Sequence, residues 1–235
     1  MQSIDLLSSK DIIKTVSQID DLQNIWEQRN DKLPFYTLGA ASYLDSSKSY
    51  NKRYYKKADR LNPILANQFS WLYEKVLSAL TEATGLTCQL AEHQALPGFH
   101  IFLAHKKFLS PVASRHVDRQ HIKLNWTNNE QVDLEKNTLS FTLPLELPSC
   151  GSGLNTWPES YDDLMKKPLW YSSFGFTNVN SQCEYIDYHV GKMIIHSGQL
   201  LHQIAPLKKY HPEDRRITLQ GHAILSNNGT YLLYW

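Results

Sequence analysis

The segment Arg216-Ile217-Thr218-Leu219-Gln220-Gly221-His222-Ala223 decides the fold class predicted for this chain. Alternate side chains of an extended strand point to opposite faces. The polar face of this strand carries Arg216, Thr218, Gln220 and His222, and the apolar face carries Ile217, Leu219 and Ala223. We therefore predict that one face packs on a core while the other lines a polar interior.

Residues 139–147 repeat the alternation, and several other short segments have the composition of strands. The predicted strands cover residues 94–106, 121–126, 139–147, 174–179, 184–196, 216–225 and 231–235. Short strands at this spacing are typical of a sandwich or barrel, and a polar interior favours the double-stranded β-helix, the jelly-roll or cupin topology.

The N-terminal part of the chain predicts helices. Ser8 and Asp11 have capping-box spacing, and Asn62-Pro63 predicts the start of a second helix whose apolar stripe ends before Gly85. Such a stripe must be buried, and the outer face of a sheet is its natural partner. We predict an α+β, mainly β chain in which a helical support region, residues 1–90, packs on a double-stranded β-helix core, residues 91–235, as one structural unit.

Three segments connect the predicted helices and strands. Residues 33–45 interrupt the helical pattern. Residues 46–60 are polar and rich in tyrosine and lysine, which predicts a solvated loop or a lid over an anionic substrate. Residues 151–168 predict a loop with a short helix.

Composition limits the class of partner. The 235 residues carry 24 basic and 23 acidic side chains, a formal net charge of +1, which favours a small-molecule substrate over nucleic acid or a membrane. The three cysteines, Cys88, Cys150 and Cys183, are too scattered for a disulfide framework and favour a reducing compartment. Without a signal-like N-terminus or a long apolar run, we expect a cytoplasmic protein. The oligomeric state stays open.

Three residues are candidate metal ligands. His116 and Asp118 flank one residue, so both side chains point the same way on an extended segment, and His202 approaches from a neighbouring strand. Two imidazoles and one carboxylate leave coordination positions open, as in non-haem Fe(II) oxygenases. Zinc accepts the same ligands, so a zinc hydrolase is the alternative.

Arg216 is a candidate anion site, because a dicarboxylate cosubstrate needs a planar bidentate cation. Thr218 lies on the same face and can add a hydroxyl hydrogen bond. The alternatives are a structural ion pair of Arg216 with Asp214 or Glu213, and Arg215 as the anion-binding residue.

These motifs, His116-x-Asp118, a distal His202 and Arg216-x-Thr218, resemble the pattern of the 2-oxoglutarate/Fe(II)-dependent oxygenase superfamily over about the last 120 to 140 residues. The resemblance implies a double-stranded β-helix, Fe(II) as cofactor, 2-oxoglutarate and O2 as cosubstrates, and succinate and CO2 as products. The retained Asp118 disfavours halogenation, which needs a small residue there; desaturation and cyclisation stay open.

The resemblance also ranks further residues. It favours His202 over His196 as the distal ligand, and it places an insertion over the metal, which makes Asn155, Trp157 and Tyr171 substrate candidates. His100 is a further candidate facing the cavity. We expect a dioxygenase that hydroxylates an unactivated C–H bond of a small molecule, such as a free or carrier-tethered amino acid. The alternatives are a protein-side-chain hydroxylase, a zinc hydrolase and a non-catalytic cupin-like binding protein.

Overall fold

The computed structural model describes the chain apart from residues 47–50, 128–129, 135–137, 162–163, 165–170, 173–174, 177–178 and 180. The helices are α1 Ser9–Asp21, α2 Ser42–Asp45 and α3 Lys52–Thr84, with short 3-10 helices at Gln23–Ile25, Lys106–Leu109 and Gln120–Lys123. The strands are β1 Gln2–Asp5, β2 Glu27–Asn30, β3 Leu33–Leu38, β4 Cys88–Leu90, β5 Gly98–Leu103, β6 Thr138–Glu146, β7 Leu154–Ser160, β8 Tyr171–Ser172, β9 Gly175–Phe176, β10 Glu184–Ile186, β11 Lys192–Ser197, β12 Leu200–Ile204, β13 Arg215–Leu225 and β14 Tyr231–Tyr234.

The strands form one large sheet and two small ones. The large sheet has nine strands in the order β1-β11-β6-β13-β5-β3-β2, with β14 pairing β13 and β4. A second sheet has the order β10-β7-β12, and β8 pairs with β9. The architecture is the predicted double-stranded β-helix, mainly β with few helices, and β13 lies at the centre of the large sheet.

The apolar face of β13 packs against α3, as predicted. Ile217 and Leu219 are fully buried in a cluster with Phe69, Leu72 and Val76 of the helix. This cluster is the main core and packs the helix against one face of the large sheet. The opposite, polar face of β13 is therefore free to form the interior of the β-helix.

The predicted helix start at Asn62-Pro63 was wrong, because α3 already begins at Lys52 and contains Pro63 in its interior. The buried side chains of Tyr54, Ala58 and Leu61 extend the apolar stripe toward the N-terminus. The described part of the polar stretch 46–60 is thus mostly helix, not a loop. The Tyr54 hydroxyl accepts a hydrogen bond from Ala95 N at 2.8 Å and lies in the core, so this tyrosine is not available to a lid.

The first ninety residues contribute strands as well as helices to the fold. β1 pairs antiparallel with β11, and β3 pairs with β5, in the segment where Pro34 and Gly39 interrupt the helical pattern. The predicted strand 121–126 was wrong. It forms a 3-10 helix and an irregular segment in which Trp126 Nε1 donates to His121 O at 3.0 Å.

Gly98 and Gly39 make room for the buried ring of Trp235. A Cβ atom at Gly98 would lie 2.1 Å from two atoms of the indole, and one at Gly39 would lie 2.9 Å from it. Gly39 also has a φ of +118°, which disfavours any other residue. These glycines set the position of the Trp235 indole beside His100, with ring centroids 5.4 Å apart. Separately, none of the helices in the described ranges is long and apolar enough to cross a membrane.

Candidate metal centre

The structure brings His116, Asp118 and His202 together, with one ligand atom of each within 4.8 Å of the others. His116 bridges β12 through two backbone hydrogen bonds with His202, of 3.0 and 2.9 Å. Asp118 N donates to Gly198 O at 2.6 Å, which fixes the backbone of Asp118 next to the turn between β11 and β12. These three side chains form a group that could hold one metal ion.

The tautomers of His116 and His202 leave the Nε2 atoms unprotonated and able to bind a metal. His116 Nδ1 lies 2.8 Å from Ser114 O, and His202 Nδ1 lies 2.9 Å from Leu200 O. A carbonyl only accepts, so both Nδ1 atoms carry the proton and both Nε2 atoms keep a free lone pair. The Nε2 atoms are also the ones near Asp118, at 3.8 Å for His116 and 3.5 Å for His202.

Asp118 is a buried carboxylate without a permanent positive partner. It is 3% exposed, and its ion-pair contacts within the described ranges are all to histidines. Burial alone would raise the pKa of Asp118, but coupling to His202, His222, His116 and His196 outweighs it and holds that pKa well below its usual range. Burial likewise lowers the pKa of His202 to about 3, against the opposing effect of Asp118. A negative carboxylate beside a neutral imidazole fits a bound cation.

His196, the rival to His202, lies close by but outside this group of ligand atoms. Its ring centroid is 4.8 Å from that of His202, and its Nδ1 lies 2.9 Å from Ser197 O. The geometry therefore favours His202 as the third ligand.

Arg216 is a buried cation with an unused hydrogen-bond donor. It is 3% exposed; Nε donates to Ser152 O at 3.3 Å and Nη1 to Thr218 Oγ1 at 3.3 Å, while Nη2 has no partner in the part of the chain that the structure describes. Burial lowers the pKa of Arg216, and neighbouring Tyr188 and Tyr43 partly oppose that shift. The alternative ion pair of Arg216 with Asp214 or Glu213 is not found among the described residues, and Asp214 accepts from the Ser149 hydroxyl at 3.0 Å. An unpaired buried guanidinium is suited to an anionic ligand.

Arg215, the alternative arginine, points to the other face. It donates to Asp20 at 2.8 Å and to Glu146 at 2.6 Å, so its charge is already compensated. Hydrogen bonds to these two carboxylates raise the pKa of Arg215 further. The two neighbouring arginines therefore have different environments, and only Arg216 faces the polar interior.

His100 lies across from Thr218 in the register of β5 and β13 and is 4% exposed. Its Nε2 shares a hydrogen bond with the hydroxyl of Tyr43, and its Nδ1 has no partner among the described residues. Burial lowers the pKa of His100 well below its usual value, and the charge of Arg216 lowers it further. A neutral His100 thus lines the interior beside Arg216.

The two insertion candidates in β7, Asn155 and Trp157, lie on the face of the strand opposite to that of Thr156. Thr156, not Trp157, lies opposite His202, whereas Trp157 lies opposite Leu201 in a separate apolar cluster with the Arg115 guanidinium 4.9 Å from its ring centroid. Asn155 is half-buried and pairs with Gln203. Tyr171 lies in β8, and its side chain falls outside the described part, as does most of the predicted helix up to residue 168.

Sequence reasoning missed the residues that surround Asp118. Ser140 Oγ lies 2.6 Å and Gln120 Nε2 lies 3.0 Å from the carboxylate oxygens, and His222 Nδ1 lies 3.7 Å away. The alternation in 139–147 and in β13 already placed Ser140 and His222 on polar faces. What the sequence lacked was the register, which pairs these two residues directly.

The described architecture is a double-stranded β-helix, a fold shared with solved 2-oxoglutarate/Fe(II)-dependent oxygenases, and it contains the His-Asp-His group. No protein-family model matches the chain, and no curated protein matches it in sequence.

Among solved structures, the chain is similar to an N-substituted L-amino acid dioxygenase from Burkholderia ambifaria AMMD, with a TM-score of 0.56 and 13% identity over 99% of this chain and 85% of that one. The complex of such a dioxygenase with α-ketoglutarate, another name for 2-oxoglutarate, gives 0.54 and 12% over the same shares. The non-haem α-ketoglutarate-dependent epimerase SnoN from nogalamycin biosynthesis gives 0.52 and 10% over 94% and 78%. At these identities the likeness establishes the fold.

Proposed function

We propose that this protein is a 2-oxoglutarate- and Fe(II)-dependent dioxygenase that hydroxylates an unactivated C–H bond of a small molecule. The observation that carries the proposal is Arg216, a buried guanidinium whose Nη2 has no partner among the described residues and which faces the same polar interior as the His-Asp-His group. A zinc hydrolase has no use for this cation, whereas a dicarboxylate cosubstrate requires one.

The residues divide the work between metal and cosubstrate. His116, Asp118 and His202 hold Fe(II), their Nδ1 hydrogen bonds and the contacts to Asp118 fixing the ligand atoms. Arg216 binds the remote carboxylate of 2-oxoglutarate, with Thr218 adding its hydroxyl. The bound metal, with cosubstrate and O2, supplies the oxidising power for the C–H bond, as 2-oxoglutarate is converted to succinate and CO2.

The near-neutral charge of the chain supports a small substrate, such as a free or carrier-tethered amino acid. The similarity to an N-substituted L-amino acid dioxygenase supports the same class of substrate. His100 is the substrate contact that we retain as a proposal. Cytoplasmic location and the absence of nucleic-acid and membrane partners belong to the same proposal.

The test is an anaerobic titration of metal-free protein, first with Fe(II) and then with 2-oxoglutarate, following the weak visible charge-transfer band. We expect the band in the wild type, its loss in His202→Ala, and a need for at least about 100-fold more 2-oxoglutarate in Arg216→Met. Release of succinate in the presence of candidate amino acids then identifies the substrate.

The same titration can contradict the proposal. Tight zinc binding with no band on adding Fe(II) and 2-oxoglutarate would favour a zinc hydrolase, and hydrolysis would be assayed instead. Equal 2-oxoglutarate affinity in wild type and Arg216→Met would remove the assigned role of the arginine.

A further inference from the structure

We propose that Ser140 and His222 form a directed hydrogen-bond chain that orients the carboxylate of Asp118 for metal binding. The inference rests on the metal-binding part of the proposed function and adds two positioning residues to it. Neither residue is a ligand, since Ser140 bonds to the carboxylate and His222 acts through the serine.

The two residues lie side by side on adjacent strands. Ser140 of β6 and His222 of β13 are direct register partners, and His196 of β11 is the partner of Ser140 on its other side. Direct partners in an antiparallel pair point to the same face. Ser140 is 3% and His222 is 7% exposed, so water does not compete freely for their hydrogen bonds.

The chemistry of the groups fixes the direction of the chain. Ionised Asp118 can only accept, so the Ser140 hydroxyl, 2.6 Å from Oδ2, must donate its single proton to it. The contact of 3.1 Å between Ser140 Oγ and His222 Nδ1 then needs a proton from the histidine. His222 is therefore held as the Nδ1–H tautomer, and the chain runs from His222 to Ser140 to Asp118.

A second donor holds the other carboxylate oxygen. Gln120 Nε2 donates to Asp118 Oδ1 at 3.0 Å. With one donor on each oxygen, the carboxylate plane cannot rotate freely, and its remaining lone pairs stay available to an ion that is shared with the histidine ligands. Partners of this kind raise metal affinity by about 10- to 100-fold in other metalloproteins.

The first measurement is the tautomeric state of His222 in metal-free wild-type protein, from long-range nitrogen–proton NMR correlations. In the wild type we expect Nδ1 of His222 to be protonated and Nε2 to be unprotonated. In Ser140→Ala, which lacks the hydroxyl acceptor, we expect the population of the Nδ1–H tautomer to fall. This result does not depend on iron, 2-oxoglutarate or turnover, so it is separable from failure of the proposed function.

The second measurement is Co(II) affinity, by titration of the metal-free protein. We expect Ser140→Ala to raise the dissociation constant by about 10- to 100-fold. His222→Asn keeps an N–H close to the Nδ1 position and should stay within about threefold of the wild type, whereas His222→Phe should lose about tenfold or more. Thr142→Val, a hydroxyl deletion on the same face of β6 as Ser140, is the matched control and should not change the affinity.

Three outcomes overturn the proposal. They are an Nε2–H tautomer of His222 in the wild type, equal affinity losses in His222→Asn and His222→Phe, and a loss in Thr142→Val as large as that in Ser140→Ala. Any of these would reduce Ser140 and His222 to packing residues of the interior. A thermal melt of each variant confirms that the protein used in the titration is folded.

Discussion

Replacing Arg216 by methionine should separate ligand binding from stability. The side chain is 3% exposed and has no carboxylate partner in the described ranges, so in the metal-free protein it contributes a desolvated charge without compensation. Methionine of similar length removes that charge and retains packing against Phe102 and Tyr188, whose ring centroids lie 5.6 and 5.7 Å from the guanidinium. We expect the free energy of unfolding to stay the same or rise, as in other exchanges of buried charges for apolar residues.

The effect on 2-oxoglutarate should be large and in the opposite direction. Removing one partner of a buried charge pair costs about 3 to 5 kcal/mol. At about 1.4 kcal/mol per tenfold, the dissociation constant should rise between about 100-fold and a few thousandfold. The assay is isothermal titration calorimetry of the Mn(II)-loaded protein with 2-oxoglutarate under argon, paired with urea unfolding of the metal-free protein.

Arg215→Met is the matched control, because the two arginines are adjacent and have opposite partners. Arg215 is ion-paired with Asp20 and Glu146 and its side chain is 27% exposed. Its replacement should cost about 1 kcal/mol of stability, the usual value for a partly exposed ion pair, and should leave the affinity within about threefold. If Arg215→Met instead weakened 2-oxoglutarate binding, or if Arg216→Met lost several kcal/mol of stability with unchanged affinity, the assignment of Arg216 as the anion site would be refuted.

His202→Ala should abolish stoichiometric Co(II) binding, whereas His196→Ala should keep it within about tenfold; calorimetry with Co(II) decides, and the reverse order would make His196 the ligand. Because the pKa of His202 falls from 6.5 to about 3 on folding, the unfolded chain binds more protons between these pH values. The metal-free protein should therefore lose on the order of 5 kcal/mol as pH falls through that window, measured by urea unfolding, and an equally steep curve in His202→Asn would contradict this cause. Gly98→Ala should lower stability by about 3 kcal/mol or more, since its Cβ would lie 2.1 Å from the Trp235 ring, and an unchanged melting temperature would show that the indole moves without cost.

The sequence predicted most of the site, because its signals are local. The parity of β13 placed Arg216 on the interior face, and the spacing of His116 and Asp118 placed both side chains on one side of an extended segment. These patterns need no knowledge of which strands are neighbours. The same parity left Arg215 on the outer face, where the structure finds it paired with Asp20.

The rest depended on register and on long-range contacts that no local pattern contains. The pairing of Ser140 with His222 and of His100 with Thr218 joins residues far apart in the chain. The sequence did not predict the start of α3, because Tyr54 lies in a polar stretch typical of a loop. Only the structure shows that its side chain is buried. No local pattern showed that Thr156, rather than Trp157, lies opposite His202.

The strand order of the large sheet has a consequence for how the protein folds. Most neighbour pairs of this sheet join distant parts of the chain: Gln2 lies opposite Ile195, and Ser140 lies opposite His222. Such non-local pairing gives a high contact order, which predicts folding in milliseconds to seconds rather than microseconds. During synthesis, β1 cannot pair until β11 has been made, and β6 cannot pair with β13 until that strand has been made. Because His116 pairs with His202 of β12, the candidate metal site can form only after the chain has been synthesised through that strand.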